Sequence, residues 1–477
     1  MKSIVETKVL GSFWNIFVRS WVCMVLIFCL VGCDQAKSPS NGVQTAEKAE
    51  EPSLDNLSDS VTAIRRAILR RRYDEAEKRI SRHLLQFPEE IEVLELAGDL
   101  QTQLGETGRA VEFFARAVEL QEQPAWPLLD KLGQQWMTGG RPFESLQVLA
   151  TAVRLYPDNS SVRQRLVGLQ MSLGLEQQAY EHLQWLVQHQ QGQLNYLIVL
   201  SDLTRPQTVV STCNYALEQK TGDLRPHYSL ARIPAYHGRW EEVVEELRPL
   251  IKAQPDFIDA QGLWGRALVE LSDFDELESW ADQLPEGIER CVDYWMAMGV
   301  HSERRQRLKE AVSAFQQVLL INANHPEALS RLSVLLGRLD QEDQAKRVAA
   351  RAAEVNQLRT HVDSLISWKN NSQESAIKAA QSLERLGRLW ESTAWLVAAY
   401  PMTQNPDAKI AGVFKSTRAR LTAQTPWQDP MKLAASTDSL LPFTSFSWSV
   451  KGVDQDAMEN QKDETGLQFT DEAALRG

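Results

Sequence analysis

The sequence predicts an all-α fold: a right-handed superhelical solenoid of about ten helical hairpins between flexible N- and C-terminal flanks. Three observations carry it. A small or aliphatic residue recurs at Ala76, Ala110, Ser145 and Ala179, and again at Val243, Leu277, Ala311 and Ala345, in steps of 34 or 35 residues within each set, and a ninth stands at Ser392. Packing residues follow four and seven positions later, as in Ala110, Phe114 and Ala117 or Ala311, Phe315 and Val318, which is the spacing of one buried helix face. A turn former stands five residues before most of these openers, at Gly105, Gly140, Gly174, Gly238, Ser272 and Gly387. Each unit therefore reads as helix, tight turn, helix, break. A lone hairpin cannot hide its apolar stripe, so this period implies stacked units that share one long core.

Composition agrees with a folded chain. The protein has 477 residues, 43% apolar and 24% charged, which excludes collagen-like and wholly disordered classes. Its net charge is −12, and residues 1–32 hold three basic and one acidic side chain, so removing them leaves −14. An acidic chain repels phosphate backbones, and nucleic acid is not an expected partner. Of the five cysteines, Cys23, Cys29 and Cys33 fall in the first 33 residues, while Cys213 and Cys291 sit in different units and read as small buried thiols.

The N-terminus comes first in the chain. Residues 1–32 carry Lys2, Lys8 and Arg19 and then an uncharged apolar run from Trp21 to Gly32. Twelve helical residues span about 18 Å, short of the roughly 30 Å of a bilayer's hydrocarbon core, so the run reads as a secretory signal core and not as a membrane span. It ends in Leu30-Val31-Gly32-Cys33, which resembles the lipobox of bacterial lipoproteins. That resemblance implies lipidation of Cys33 after cleavage before it. It also implies an exported body in the periplasm or at the cell surface, anchored to a bacterial membrane through the lipidated Cys33. Residues 33–56 are rich in Ser, Glu, Asp and Pro and read as a flexible tether with a reach of roughly 30 Å.

Residues 57–400 hold the repeats. Units such as AGDLQTQLGETGRAVEFFARAVEL and MGVHSERRQRLKEAVSAFQQVLLI, with small-after-large pairs at Ala97-Gly98, Leu132-Gly133, Trp264-Gly265 and Met298-Gly299 and closing prolines at Pro88, Pro157, Pro255 and Pro326, resemble the tetratricopeptide repeat. There are departures. His83 replaces a small residue in the first hairpin, residues 190–222 leave room only for a shortened, irregular hairpin with Thr204-Arg205-Pro206 at its turn, and a 47-residue gap before Ser392 admits an insertion near Val355–Ser375. Trp136, Trp185, Trp264, Trp295 and Trp395 fall on helix faces and read as core.

No phosphate-binding loop, dinucleotide fingerprint, nucleophile elbow or zinc-binding HExxH occurs. His182 and His189, seven apart, cannot chelate one metal by themselves. The chain is expected to be no enzyme and to need no cofactor or metal. The resemblance implies instead a protein or peptide ligand along a concave groove lined by the first helix of each unit. That face maps to Glu92, Glu95 and Asp99 early, then to Tyr228, Arg232, Tyr236, Arg266, Arg304 and Arg338. An Arg and Tyr lining suits an extended peptide with a carboxylate or acidic side chains. The run Arg65, Arg66, Arg70, Arg71 and Arg72 reads either as a solvated cap helix or as a face for anionic headgroups.

After Pro401 the period stops. Residues 401–477 read as a linker or low-order tail, and Gly466–Leu475 resembles the opening phrase of FG-GAP or VCBS-type β-propeller modules. The expected function is a membrane-tethered scaffold for protein–protein interaction at a bacterial cell envelope. The alternative is an assembly or secretion factor for envelope polymers or outer-membrane proteins.

Overall fold

A computed structural model describes residues 57–367, 373–402, 408–431 and 433 of the chain. The leader, Cys33, the tether and the phrase at 466–475 lie outside the described residues. All the described residues but Leu57 belong to the unit Ser58–Gly477.

The described residues form 21 α-helices and two short 3-10 turns, with no strand. Helices α1 (Leu57–Leu69) and α2 (Tyr73–Gln86) make the first hairpin, α3 (Ile91–Leu104) and α4 (Thr107–Glu119) the second, and α5 (Trp126–Thr138) and α6 (Pro142–Leu155) the third. The array continues with α7 (Ser160–Ser172) and α8 (Glu176–Gln188), the short pair α9 (Leu194–Ser201) and α10 (Val210–Glu218), and α11 (Pro226–Tyr236) with α12 (Trp240–Ala253). Then come α13 (Ile258–Leu271) and α14 (Phe274–Ala281), α15 (Val292–Arg304) and α16 (Leu308–Ile321), α17 (Pro326–Arg338) and α18 (Glu342–Ile366), and α19 (Gln373–Leu386) with α20 (Leu389–Ala399). A last helix, α21 (Ala408–Ala419), follows. No helix among the described residues is long and apolar enough to cross a membrane.

The turn inside each hairpin has one backbone solution. The residue five before the helix opener is left-handed at Gly105, Gly140, Gly174, Gly238, Ser272 and Gly387, with φ between 59° and 84°. The same conformation recurs at Arg71, Gln306 and Asp340, with φ of 55° to 60°, where the sequence shows no glycine. The short reversal of direction is therefore set by hairpin packing, which carries three side chains into a region they disfavour.

The openers are buried in eight of nine units; Ala345 is only half-buried because α18 turns Gln344 and Val348 inward instead. The small-after-large pairs explain how closely the two helices of a unit approach. A Cβ at Gly98 would lie 2.4 Å from the Phe114 ring, one at Gly299 would lie 2.5 Å from Phe315, and one at Gly265 would lie 2.2 Å from Trp280. Each ring thus packs against bare backbone where a Cβ would clash, and burying such a side chain contributes about 2–3 kcal/mol. One apolar cluster runs from Leu129 to Ala399, with two smaller clusters under the first hairpins. Trp264, Trp295 and Trp395 are buried in the large cluster. Trp136 and Trp185 are half-buried under the Arg141 and Arg163 guanidiniums. Cys213 and Cys291 are free, buried thiols, and burial pushes Cys213 up to about 11.

The 47-residue gap is filled by the 25-residue helix α18, and the fold does not stop at 400. Beyond α21, Thr425 accepts from Trp390 Nε1 at 3.0 Å and Gln428 Nε2 donates to the Leu386 carbonyl at 2.7 Å, so this segment lies against the last hairpin.

An open solenoid touches only neighbouring units. This array also touches itself: α9 packs on α18 and α20, and α8 packs on α20. Arg388, 1% exposed, clasps Glu391 through two contacts of 2.6 and 2.5 Å and donates from Nη2 to the Leu200 carbonyl at 2.7 Å, joining the last hairpin to the fifth. Arg359 pairs with Asp202 at 2.8 Å, Arg205 pairs with Asp363, and Trp427 Nε1 donates to the Tyr180 hydroxyl at 3.1 Å.

Candidate functional site

Closure leaves a half-open cavity of about 460 Å³ on the concave side of hairpins six to nine. The first helices α11, α13, α15 and α17 form its floor, and the loop after α9 together with α18 closes its side. Its size falls in the range of small-ligand and side-chain pockets.

Four of the six groove residues expected from the sequence line this cavity: Tyr228, Arg232, Tyr236 and Arg266. Arg304 and Arg338 do not. Arg304 turns into the seam between α13 and α15, where it holds Glu270 Oε2 at 2.5 Å and the Val269 carbonyl. Arg338 is exposed and donates to Gln306 Oε1 at 2.6 Å. The early acidic trio lies elsewhere, around a second cavity of about 440 Å³ between α1 and α3. There Glu92 pairs with Arg65 at 2.6 Å and Asp99 with Lys131 at 2.8 Å, while burial pushes Glu95 up. In the basic run, Arg65 thus faces a carboxylate, and Arg72 meets Glu75 at 3.5 Å. His182 and His189 serve separate contacts, with Arg163 at 2.9 Å and stacked on Trp185 with ring centroids 3.7 Å apart.

The cavity arginines are engaged within the chain. Arg232 reaches the fully buried Glu176 at 3.3 Å, and Arg266, 3% exposed, binds Glu270 at 2.5 Å and Glu327 at 2.7 Å. Burial would raise Glu327, but Arg266 and Arg331 outweigh it and hold that carboxyl at about 2.

Three acids stand at one repeat position, Asp259, Asp293 and Glu327, each 34 residues from the next and each in the first turn of its helix, where the dipole favours an anion. All three line the cavity. Sequence reading missed them because it followed one concave stripe of Tyr and Arg; a 34-residue ladder of first-turn acids was the available signal. His325 and Arg359 also line the cavity, and they come from the helix-capping turn before α17 and from the closing helix.

One titration lies beside the site. His301 in α15 is 3% exposed, and burial, then Arg305, Arg307 and Arg304, hold it down to about 4. Its folded value lies below the 6.5 of a free imidazole, so the unfolded chain protonates first. Its contribution is complete above pH 6.5 and is lost as pH falls from 6.5 towards about 4. Urea midpoints measured across that window should decline for the native chain and stay flatter for His301→Gln; parallel slopes would refute the assignment.

The tetratricopeptide repeat family matches residues 91–124, which span α3 and α4. No curated protein matches the chain. Among solved structures, Naa15/Naa10 bound to HypK-THB is 12% identical at a TM-score of 0.25, covering 76% of this chain and 66% of that one, so this chain spans just under two thirds of its length. Yeast Tom70 is 11% identical at 0.25, covering 76% and 95%, and the APC/C hetero-tetramer Cut9-Hcn1 is 13% identical at 0.29, covering 76% and 69%. Scores of this size support no statement about partners.

Proposed function

We propose that the chain, an array of helical hairpins of which residues 91–124 match the tetratricopeptide repeat, is a membrane-tethered scaffold of a bacterial cell envelope that holds a protein or peptide partner in its concave cavity. The single observation that carries the reading is the half-open cavity of about 460 Å³ where the array meets itself, lined by the first helices of successive hairpins. Its mechanism is display and capture. The partner gains a pre-formed, partly desolvated surface, and rigid hairpins lower the ordering cost of binding.

A photo-crosslinking side chain at Asn356, exposed on the cavity wall, should join the chain to a protein partner in intact cells, whereas one at Lys346, 72% exposed on α18, should not. Equal crosslinking from both positions, or none from Asn356, would sink the reading. The tether is supported by the Leu30-Val31-Gly32-Cys33 sequence and the apolar run before it. Growth with a fatty-acid analogue should label the native chain and leave Cys33→Ala unlabelled; label retained by the variant would remove the lipid anchor from the proposal. The alternative role in assembly or secretion of envelope components differs in the partner recovered at Asn356.

A further inference from the structure

The cavity lining carries four arginines and three acids, and most of those guanidiniums are already engaged within the chain. Of the four arginines that line it, Arg232, Arg266 and Arg359 are committed to Glu176, to Glu270 and Glu327, and to Asp202. The fourth, Arg290, is exposed and has no ion-pair partner among the described residues. Two lining acids make no direct ion pair, although both stand in the field of Arg232. Asp259 accepts from Gln178 Nε2 at 2.8 Å and has no ion pair, and Asp293 has neither a side-chain hydrogen bond nor an ion pair among the described residues. Burial pushes Asp259 up against the Gln178 hydrogen bond and the Arg232 charge, and the Asp293 charge adds to the rise, so an arriving cation would stabilise both carboxylates.

A second, independent feature points at a ligand. His325 lines the cavity and is 7% exposed. Burial, against the pull of Glu327, holds its imidazole below the ordinary value and keeps it neutral. Its Nδ1 accepts the Ala328 backbone N–H at 3.2 Å, so the proton of the neutral ring sits on Nε2. That Nε2–H has no partner among the described residues and opens on the cavity, where it can donate to an acceptor on a ligand. Tyr228, Tyr236 and Trp240 supply aromatic wall for an aliphatic stem.

Building on the scaffold reading, we propose that the cavity takes the cationic side chain of a peptide partner, a lysine or arginine, between Asp259 and Asp293, while His325 Nε2–H donates to an acceptor on the same peptide. The cation is organic, because no three ligating side chains converge on a metal position among the described residues. The net charge of −12 would draw a basic partner in from a distance. The tyrosines of the expected groove keep a place in this arrangement, while the guanidiniums expected to bind an acidic peptide serve as internal ties.

The test is fluorescence anisotropy with the full-length chain and three labelled twelve-residue Gly/Ser peptides that carry two lysines, two glutamates or no charge. The lysine peptide should bind best. Asp259→Asn and Asp293→Asn should each weaken it about tenfold or more. Asp293→Lys, which places a fixed ammonium in the site, should abolish binding, and Arg290→Glu should strengthen it. Circular dichroism melts identify any variant that fails to fold, and Arg290→Glu tests the idea from the exposed side with no change to the buried wall. Equal binding of the glutamate or neutral peptide, or Asn variants that bind like the native chain, would overturn the cation assignment. A partner crosslinked at Asn356 together with unselective peptide binding would overturn this proposal and leave the scaffold standing. No crosslink and no peptide binding would remove both.

Discussion

Arg388→Ala is expected to cost about 3–5 kcal/mol, because it strands Glu391 as an uncompensated charge at 0% exposure. The loss has a spatial signature. From the N-cap of α20, Arg388 holds Glu391 in the first turn of that helix and the Leu200 carbonyl of the fifth hairpin, so amide exchange should quicken in α9 as well as in α20, although the two are far apart in sequence. Helices α3 and α4 should keep their protection, since their apolar cluster is separate. The pair variant Arg388→Met with Glu391→Leu should recover most of the stability, because it removes both desolvated charges. Exchange that rises in α20 alone would show that the guanidinium does not tie the array shut. A pair variant no better than Arg388→Ala would show that side-chain volume, and not the stranded charge, sets the cost.

The second large effect is steric. Gly265→Val should destabilise the seventh hairpin by about 1–3 kcal/mol, since even its Cβ would lie 2.2 Å from the Trp280 ring, which is held in the core at 6% exposure. Gly168 gives the opposite sign. It sits inside α7 with nothing within 4 Å of a built Cβ, so Gly168→Ala should stabilise the helix by about 0.5–1 kcal/mol through lost chain entropy. Urea denaturation of the two variants side by side tests the contrast. Two shifts of the same sign would mean that proximity to the ring does not govern the glycine positions.

Much of the architecture was legible because the repeat is a local device. Ala110, Phe114 and Ala117 show a buried face within one helix, and Gly105 shows the turn before it, all inside a window of 13 residues. Legibility failed where the cause was distant. Arg71, Gln306 and Asp340 adopt the left-handed turn although nothing in their identity asks for it, because the packed helices on both sides impose it. The gap before Ser392 suggested an insertion, and only the structure shows it as the continuation of α18.

The candidate site divides along the same line. Tyr228, Arg232, Tyr236 and Arg266 could be placed on the concave side because each follows from its position in a 34-residue unit. Whether those guanidiniums are free could not be read, since their partners Glu176, Glu270 and Glu327 come from two other hairpins and from the next turn of the same helix. By itself the sequence determined the hairpin, its period, the face that each unit buries and the acidity of the whole, because all of these are set within one repeat or by composition. Only the tertiary structure decided that the array closes on itself and which charges the closure leaves unpaired. Those outcomes depend on contacts such as Arg388 with Leu200 and Arg359 with Asp202, separated by 188 and 157 residues, and no local pattern encodes a pairing at that distance.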